Sequence, residues 1–123
     1  MSRSTLRRGA GLARDWLLPG GALTQLTHFV TSACSCRCRH CFYTTNRGDD
    51  ELTVAEVRRL AAASPPVRLL MISGGEPFLR RDLPLLVHAW AEGCAPLSVS
   101  IPTNGFDPER IVTATEAICE SCP

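Results

Sequence analysis

A single apolar run constrains the fold of this 123-residue chain more than any other feature. From Val67 to Ser73 the sequence is apolar almost without interruption, Arg68 being the exception, and Gly74-Gly75 follows directly. Such a run is typical of a strand that is buried on both faces of a parallel sheet. Because parallel strands are joined by crossover connections, the segments on either side of the run should supply further strands and helices.

Two elements are predicted before this run. The segment from Thr24 to Ser32 is rich in β-forming residues in an alternating pattern, which predicts a first strand. Thr53 and Glu56 then form a capping-box pattern, with Thr53 at the N-cap and Glu56 at the third helical position. The helix that begins there should stop at Ser64-Pro65-Pro66.

Three elements are predicted after the run. Asp82 is the candidate N-cap of a second helix, and Gly93 is its predicted end. The segment from Leu97 to Thr103 alternates apolar residues with serines, which predicts a third strand. Asp107 at the N-cap and Pro108 at the first helical position then open a third helix.

The predicted order is therefore strand and helix, three times over, which places the chain in the α/β class with a parallel sheet. In such folds the loops that follow the strands lie at one edge of the sheet, where ligands bind. A distinctive motif follows each predicted strand, so we expect the three motifs to converge at that edge.

The first motif is a cysteine-rich loop. Cys34, Cys38 and Cys41 stand at a Cys-x3-Cys-x2-Cys spacing, and Cys36 falls outside that register. Three thiolates on one short loop can hold three irons of a [4Fe–4S] cube and leave the fourth iron without a protein ligand. An open iron suits redox chemistry on a bound substrate, and Cys36 is interpreted as a spare thiol.

A zinc site or a chance cluster is the alternative interpretation of these cysteines. The best zinc pattern pairs Cys38 and Cys41 with Cys119 and Cys122, but residues 42–118 intervene, whereas zinc ribbons usually separate such pairs by roughly 15 to 20 residues. The seven cysteines are an odd number, and no uninterrupted apolar secretory segment precedes them. This disfavours a disulfide scaffold and fits a reducing cytoplasm.

Composition narrows the function classes further. The net charge of +1 argues against a general nucleic-acid binder, and no apolar run approaches the about 20 residues of a membrane span. Residues 1–21 mix Arg, Ser and Gly and are predicted to be a peripheral leader, although their Arg-rich, acid-poor composition is also that of an organellar transit peptide. We expect a soluble, cytoplasmic protein without a membrane or nucleic-acid partner.

The cysteine spacing, Gly74-Gly75-Glu76-Pro77 and Thr103-Asn104-Gly105, in that order, resemble the motifs of the radical S-adenosylmethionine (radical SAM) superfamily. The resemblance covers the N-terminal half of the catalytic domain, of the kind often followed by a cysteine-rich auxiliary-cluster (SPASM-type) domain. It implies that residues 22–123 form three successive βα units of a partial (β/α)6 TIM-like barrel, and that this barrel is truncated.

The resemblance also implies roles for eight residues, in a site that takes a [4Fe–4S] cluster and S-adenosyl-L-methionine. Glu76 would receive the amino group of the methionyl part, and His40 would pack beside the cofactor without binding iron. The assigned residues are the cluster ligands Cys34, Cys38 and Cys41, the methionine-binding Gly74, Gly75 and Glu76, and the pocket residues Asn104 and His40.

The reaction implied by the resemblance is reductive cleavage of S-adenosylmethionine to a 5′-deoxyadenosyl radical, which abstracts hydrogen from a substrate. The substrate would be a small molecule or a peptide, with peptide, cofactor and tetrapyrrole modification all open, and the electron donor a flavodoxin or ferredoxin. The alternatives are a non-catalytic iron–sulfur or zinc-binding module and an inactive truncated remnant.

Overall fold

The structure is a computed structural model that describes residues 23–42 and 51–122. The leader predicted over residues 1–21 therefore lies outside the described residues. Within the described ranges, none of the helices has the length and apolar character needed to cross a membrane.

Three parallel strands form one sheet in the order β1-β2-β3. They are β1 (Leu23–Thr31), β2 (Val67–Gly74) and β3 (Ser98–Ser100). The apolar run forms β2 at the centre of the sheet. Burial on both faces was predicted, but only the face of Leu70 and Ile72 is fully buried, whereas Leu69 and Met71 on the other face are half-buried. The predicted α/β class of three successive strand–helix units is confirmed.

Three α-helices alternate with the strands: α1 (Val54–Ala63), α2 (Leu83–Cys94) and α3 (Pro108–Ser121). A short 3₁₀ helix, Pro77–Leu79, precedes α2. The capping box of α1 is present in full, because Thr53 Oγ1 accepts from the Glu56 amide and the Glu56 carboxylate accepts from the Thr53 amide. Asp107 caps α3 as predicted, with its Oδ1 3.2 Å from the Arg110 amide nitrogen.

The start of α2 was predicted correctly, but its capping bond was not. Asp82 occupies the N-cap position and makes no side-chain cap hydrogen bond. Its two carboxylate oxygens instead accept from the guanidinium of Arg80, at 2.9 and 2.7 Å. A charge-assisted bidentate pair is stronger than a hydrogen bond to a neutral amide, so the arginine takes the carboxylate from the helix end.

The predicted end of α2 at Gly93 is wrong. The helix continues to Cys94, and the left-handed residue after it is Ala95, with φ 44°. Gly93 faces α1, where an added Cβ would lie 2.5 Å from Ala61. The glycine therefore serves the contact between α1 and α2 rather than the end of the helix.

The third strand is also shorter in the structure than the sequence pattern predicted. Residues Leu97 to Thr103 were expected to be extended, but only Ser98–Ser100 pair with β2. The residues after Ser100 leave the sheet and enter the loop that carries the third motif.

The core lies between the sheet and the helices. Alternate residues of β1 divide between its two faces, so that His28 and Val30 are buried while Thr27 and Phe29 are exposed. His28 Nδ1 accepts a hydrogen bond of 3.0 Å from the indole of Trp90, and both side chains are buried, so the pair belongs to the core. The largest fully buried apolar side chains are Val30, Leu70, Ile72, Val57, Leu83, Leu86 and Val87.

Candidate functional site

The loops after the three strands meet at the carboxyl edge of the sheet, as the topology predicted. We call residues 32–42 the cysteine loop and residues 74–80 the Gly-Gly-Glu segment. Two backbone hydrogen bonds join them: the Gly75 amide donates to the Thr31 carbonyl and the Glu76 amide donates to the Ala33 carbonyl, both at 2.8 Å. The Gly-Gly-Glu segment therefore continues the pairing of β2 with β1 into the start of the cysteine loop.

The two glycines make this close approach possible. A Cβ added to Gly74 would lie 2.3 Å from the Thr31 carbonyl oxygen, and one added to Gly75 would lie 2.2 Å from that of Ala33. Gly74 also has a φ of +139°, which side chains rarely permit. The resemblance implied that these glycines bind the methionyl part of the cofactor. The structure packs Gly74 against the end of β1 and Gly75 against the start of the cysteine loop, and their ligand role stays a prediction.

Glu76 lies at the centre of the edge, with only 4% of its surface exposed. Its Oε1 accepts from the Phe78 amide at 3.1 Å and from Thr103 Oγ1 at 3.0 Å, and its Oε2 accepts from the Asn104 amide at 2.7 Å. Its backbone is extended, as expected for a residue before proline. We call Glu76, Thr103 and Asn104 the Glu76 node, because the carboxylate ties the loop after β2 to the loop after β3.

Asn104 extends this node to the cysteine loop. Its Nδ2 lies 3.1 Å from Ser35 Oγ and 3.8 Å from Cys34 Sγ, and its Oδ1 accepts from the Phe106 amide at 3.0 Å. The three motifs therefore touch one another although they are far apart in the sequence. Thr103 belongs to the third motif but had been assigned no role of its own, and Ser35 lies in the cysteine loop without a local feature that sets it apart.

The three predicted cluster ligands differ in exposure. Cys34 is half-buried, whereas Cys38 and Cys41 are exposed. The Cys36 amide lies 3.4 Å from Cys34 Sγ, and the Cys41 amide donates to the Cys38 carbonyl at 3.1 Å. Among the described residues, no group of three or more Cys, His, Asp or Glu side chains is arranged to hold a metal ion.

The chemistry of the donor set nevertheless fits an iron–sulfur cube with one open iron. The loop offers the thiols of Cys34, Cys38 and Cys41 in the required spacing, and N–H groups from Cys36 and Asn104 are directed at the sulfur of Cys34. Hydrogen bonds to ligand sulfurs are among the features that set the potential of such clusters. His40, which was expected to pack beside the cofactor, is exposed. Nearby, the ring of Phe42 makes an edge-to-face contact with that of Phe29, with centroids 6.2 Å apart, and stays 75% exposed.

Arg80 is a residue of this edge that the sequence did not predict. Its side chain is 9% exposed and donates to the backbone carbonyls of Val30 and Leu52 as well as to Asp82, with Glu51 at 3.5 Å. The guanidinium lowers the pKa of Asp82 by hydrogen bonding to its carboxylate. No local signal separates Arg80 from its exposed neighbour Arg81.

Two pockets differ in whether residues of the three motifs line them. A small one, of about 90 Å³, lies beside Ser35, Glu76 and Asn104. A larger apolar one, of about 790 Å³, lies between α2, β3 and α3 and is lined by none of the predicted site residues. We take the smaller pocket as the candidate site, because polar groups from the loops of all three motifs line it.

The chain matches a known protein family over most of its length. The family model for the radical SAM superfamily matches residues 29–120. GTP 3',8-cyclase from Tolumonas auensis is 38% identical over 82 residues, which are 63% of this chain and 24% of that protein. The chain therefore spans a minor part of the length of that relative.

A solved structure shares the fold. The crystal structure of BtrN in complex with AdoMet and 2-DOIA superimposes with a TM-score of 0.52 at 23% identity, over 77% of this chain and 42% of BtrN. At that level of identity the likeness concerns the arrangement of strands and helices.

Proposed function

The chain belongs to the radical SAM superfamily, and from this premise we propose that its carboxyl edge is the cluster-binding and methionine-binding part of a radical S-adenosylmethionine active site. The contact of Asn104 with both the Glu76 carboxylate and the cysteine loop is the observation that carries the proposal. It supports a single site built from three motifs rather than three unrelated turns.

Cys34, Cys38 and Cys41 would hold the [4Fe–4S] cluster. When bound, the cluster and S-adenosylmethionine supply the electron and the 5′-deoxyadenosyl radical that abstracts hydrogen from the substrate. The protein's part is to fix the thiols and to place hydrogen-bond donors near them. The Asn104 amide group, 3.8 Å from Cys34 Sγ, is such a donor and links the cluster side of the site to the Glu76 node.

The methionyl end of S-adenosylmethionine would lie against Gly74, Gly75 and Glu76. A carboxylate oxygen has two lone pairs, and Glu76 Oε2 uses one of them for the Asn104 amide. The second lone pair of Oε2 would accept a hydrogen bond from the amino group of the cofactor. Since the rest of the carboxylate is held by Thr103 and Phe78, Glu76 would bind without first reorganising.

For the whole protein we propose a small-molecule or peptide substrate and a flavodoxin or ferredoxin as reductant, in the cytoplasm. The matched relative is named for a reaction of GTP, which favours a small molecule. We place the residues that choose the substrate outside the three motifs, because the motif residues are engaged with the cofactors.

The test is anaerobic reconstitution with iron and sulfide, followed by electron paramagnetic resonance of the reduced protein with and without S-adenosylmethionine. We expect a cubane signal that changes when the cofactor is added. Cys38→Ala should lose the signal, whereas the matched variant Cys36→Ala should keep it. Cys36 approaches Cys34 through its backbone amide, which the substitution retains. An unchanged cluster yield in Cys38→Ala would contradict the ligand assignment.

The same measurement separates the alternative of a non-catalytic metal-binding module. Such a module would show a cubane signal that does not respond to S-adenosylmethionine, or would bind zinc instead. Cleavage of S-adenosylmethionine by the reduced wild-type protein, and its loss in Cys38→Ala, would exclude that alternative.

A further inference from the structure

All the N–H groups of the Arg80 guanidinium donate hydrogen bonds within the protein. Its five hydrogen bonds match the five N–H donors of an arginine side chain. Two go to the carboxylate of Asp82, at 2.9 and 2.7 Å, and three go to backbone carbonyl oxygens. A buried cation with no unused donor is unusual for a residue that only solubilises a surface.

The three hydrogen bonds to backbone carbonyls connect two parts of the chain that are distant in sequence. Nη1 donates to the Val30 carbonyl at 2.9 Å and to the Leu52 carbonyl at 3.1 Å, and Nη2 donates to Leu52 at 3.1 Å. Val30 lies at the end of β1 and Leu52 just before α1, so one side chain joins the two ends of the connection that contains the cysteine loop. Asp82 and Glu51, both near the guanidinium, offset the cost of burying its charge.

We propose that Arg80 is the positioning residue that joins the two ends of the connection between β1 and α1 and thereby holds the cysteine loop, with its three predicted ligand thiols, at the carboxyl edge. Drawing together the ends of a long connection costs conformational entropy, which charge-assisted hydrogen bonds can offset. The role is specific to arginine, because the planar fork reaches two carbonyls and a carboxylate at once and a lysine has a single ammonium. The inference rests on the proposed function, since it concerns the loop that would hold the cluster.

The experiment compares Arg80→Lys with Arg81→Lys in the full chain. Both changes keep the charge, and Arg81 is the exposed neighbour. Hydrogen–deuterium exchange is first measured on the metal-free protein. In Arg80→Lys we expect amides of residues 31–42 to exchange about tenfold faster or more, since hydrogen bonds to a charged group are lost, with α2 unchanged. Arg81→Lys should match the wild type.

Asp82→Asn gives an independent variant in case Arg80→Lys does not fold. It leaves the arginine in place and weakens the pair that orients it, so we expect a smaller acceleration of exchange in the same residues. In the reconstituted proteins, Arg80→Lys should also lower the fraction of cluster whose resonance signal changes with S-adenosylmethionine. Arg81→Lys should leave that fraction as in the wild type.

Two results would overturn the proposal. One is unchanged exchange over residues 31–42 in both Arg80→Lys and Asp82→Asn; the other is an equal acceleration over the whole chain, which would make Arg80 a residue of general stability. Failure of the wild-type protein to assemble a cluster would count against the proposed function instead. The exchange measurement on the metal-free protein would still decide the role of Arg80.

Discussion

The Gly-Gly-Glu segment and the cysteine loop lie side by side at the carboxyl edge but are held in different ways. Glu76, Pro77 and Phe78 are buried, and the Glu76 carboxylate accepts three hydrogen bonds from the protein. By contrast, residues 37–42 of the cysteine loop are all exposed. The polar groups of the first region find their partners within the protein, whereas Cys38 and Cys41 of the second region are exposed.

This difference suggests two routes to a functional geometry. Packing and hydrogen bonds fix the Gly-Gly-Glu segment before any ligand binds, which is the usual way to keep a binding site precise. The cysteine loop is anchored at its start and at its base, and we expect metal binding to complete its order, because metal binding and folding are coupled in such loops. Substitutions should therefore be costly in the first region and mild in the metal-free form of the second.

The largest effect is expected from Gly75→Ala. The new Cβ would lie 2.2 Å from the Ala33 carbonyl oxygen, a backbone atom that cannot move without breaking the link between the two loops. We expect a loss of about 3 kcal/mol or more in the free energy of unfolding, measured by urea denaturation. Gly105→Ala is the control: a Cβ there meets nothing within 4 Å, so only the cost of its φ of +72°, about 1 kcal/mol, should appear. Equal losses in the two variants would show that the close approach is unimportant.

Glu76→Gln tests the node itself. The amide group would place an N–H₂ where the carboxylate now accepts from Asn104, Thr103 or Phe78. We expect the free energy of unfolding to fall by about 2 kcal/mol, since a buried donor loses its partner. Glu109→Gln, an exposed change in the first turn of α3, should alter it by less than about 0.5 kcal/mol. A Glu76→Gln variant as stable as wild type would mean that the segment is not preorganised by this carboxylate.

A third test uses the pH dependence of stability, which reports on His28 in the sheet beneath both regions. Burial, aided by the positive charge of Arg80, lowers the pKa of His28 from 6.5. The unfolded chain therefore takes up this proton at a higher pH than the folded chain, and the free energy of unfolding should fall as the pH drops below 6.5, by at most about 1.4 kcal/mol per pH unit. The loss stops once the pH is below the pKa of the folded state.

Urea denaturation between pH 8 and pH 5.5 on the metal-free protein would measure this slope. His28→Gln keeps an acceptor for Trp90 and should flatten it, whereas the half-buried His88, replaced by Gln, should leave it in place. The same slope in His28→Gln as in wild type would show that another group titrates and that burial of His28 is not its cause.

The smallest effect is expected in the cysteine loop. Cys38 is exposed, and only its backbone carbonyl accepts a hydrogen bond, from Cys41. Cys38→Ser in the metal-free protein should therefore change the free energy of unfolding by less than about 0.5 kcal/mol. After reconstitution the difference from wild type should widen, because the variant loses a thiolate ligand. A large loss in the metal-free form would show that the loop is preorganised like its neighbour.

Local chemistry explains which elements were predicted well. The capping box of Thr53 and Glu56, and Asp107 with Pro108, act within one helical turn, so the sequence alone specifies those helix starts. Gly93 was misjudged because its lack of a side chain serves a contact with α1, which the local sequence does not reveal. Asp82 is at the predicted N-cap position, but it makes no side-chain capping bond, because Arg80 competes for its carboxylate.

The sequence by itself determined the strand and helix order, the cysteine spacing and the placement of each motif after a strand. These follow from periodicity, caps and turn residues, which act over a few positions. Only the tertiary structure decided that Glu76 would hold the loops after β2 and β3 together, and that Arg80 would join Val30 to Leu52. Such bonds depend on which distant backbone groups are left unpaired once the chain has packed, and a buried polar group must find one of them wherever it lies.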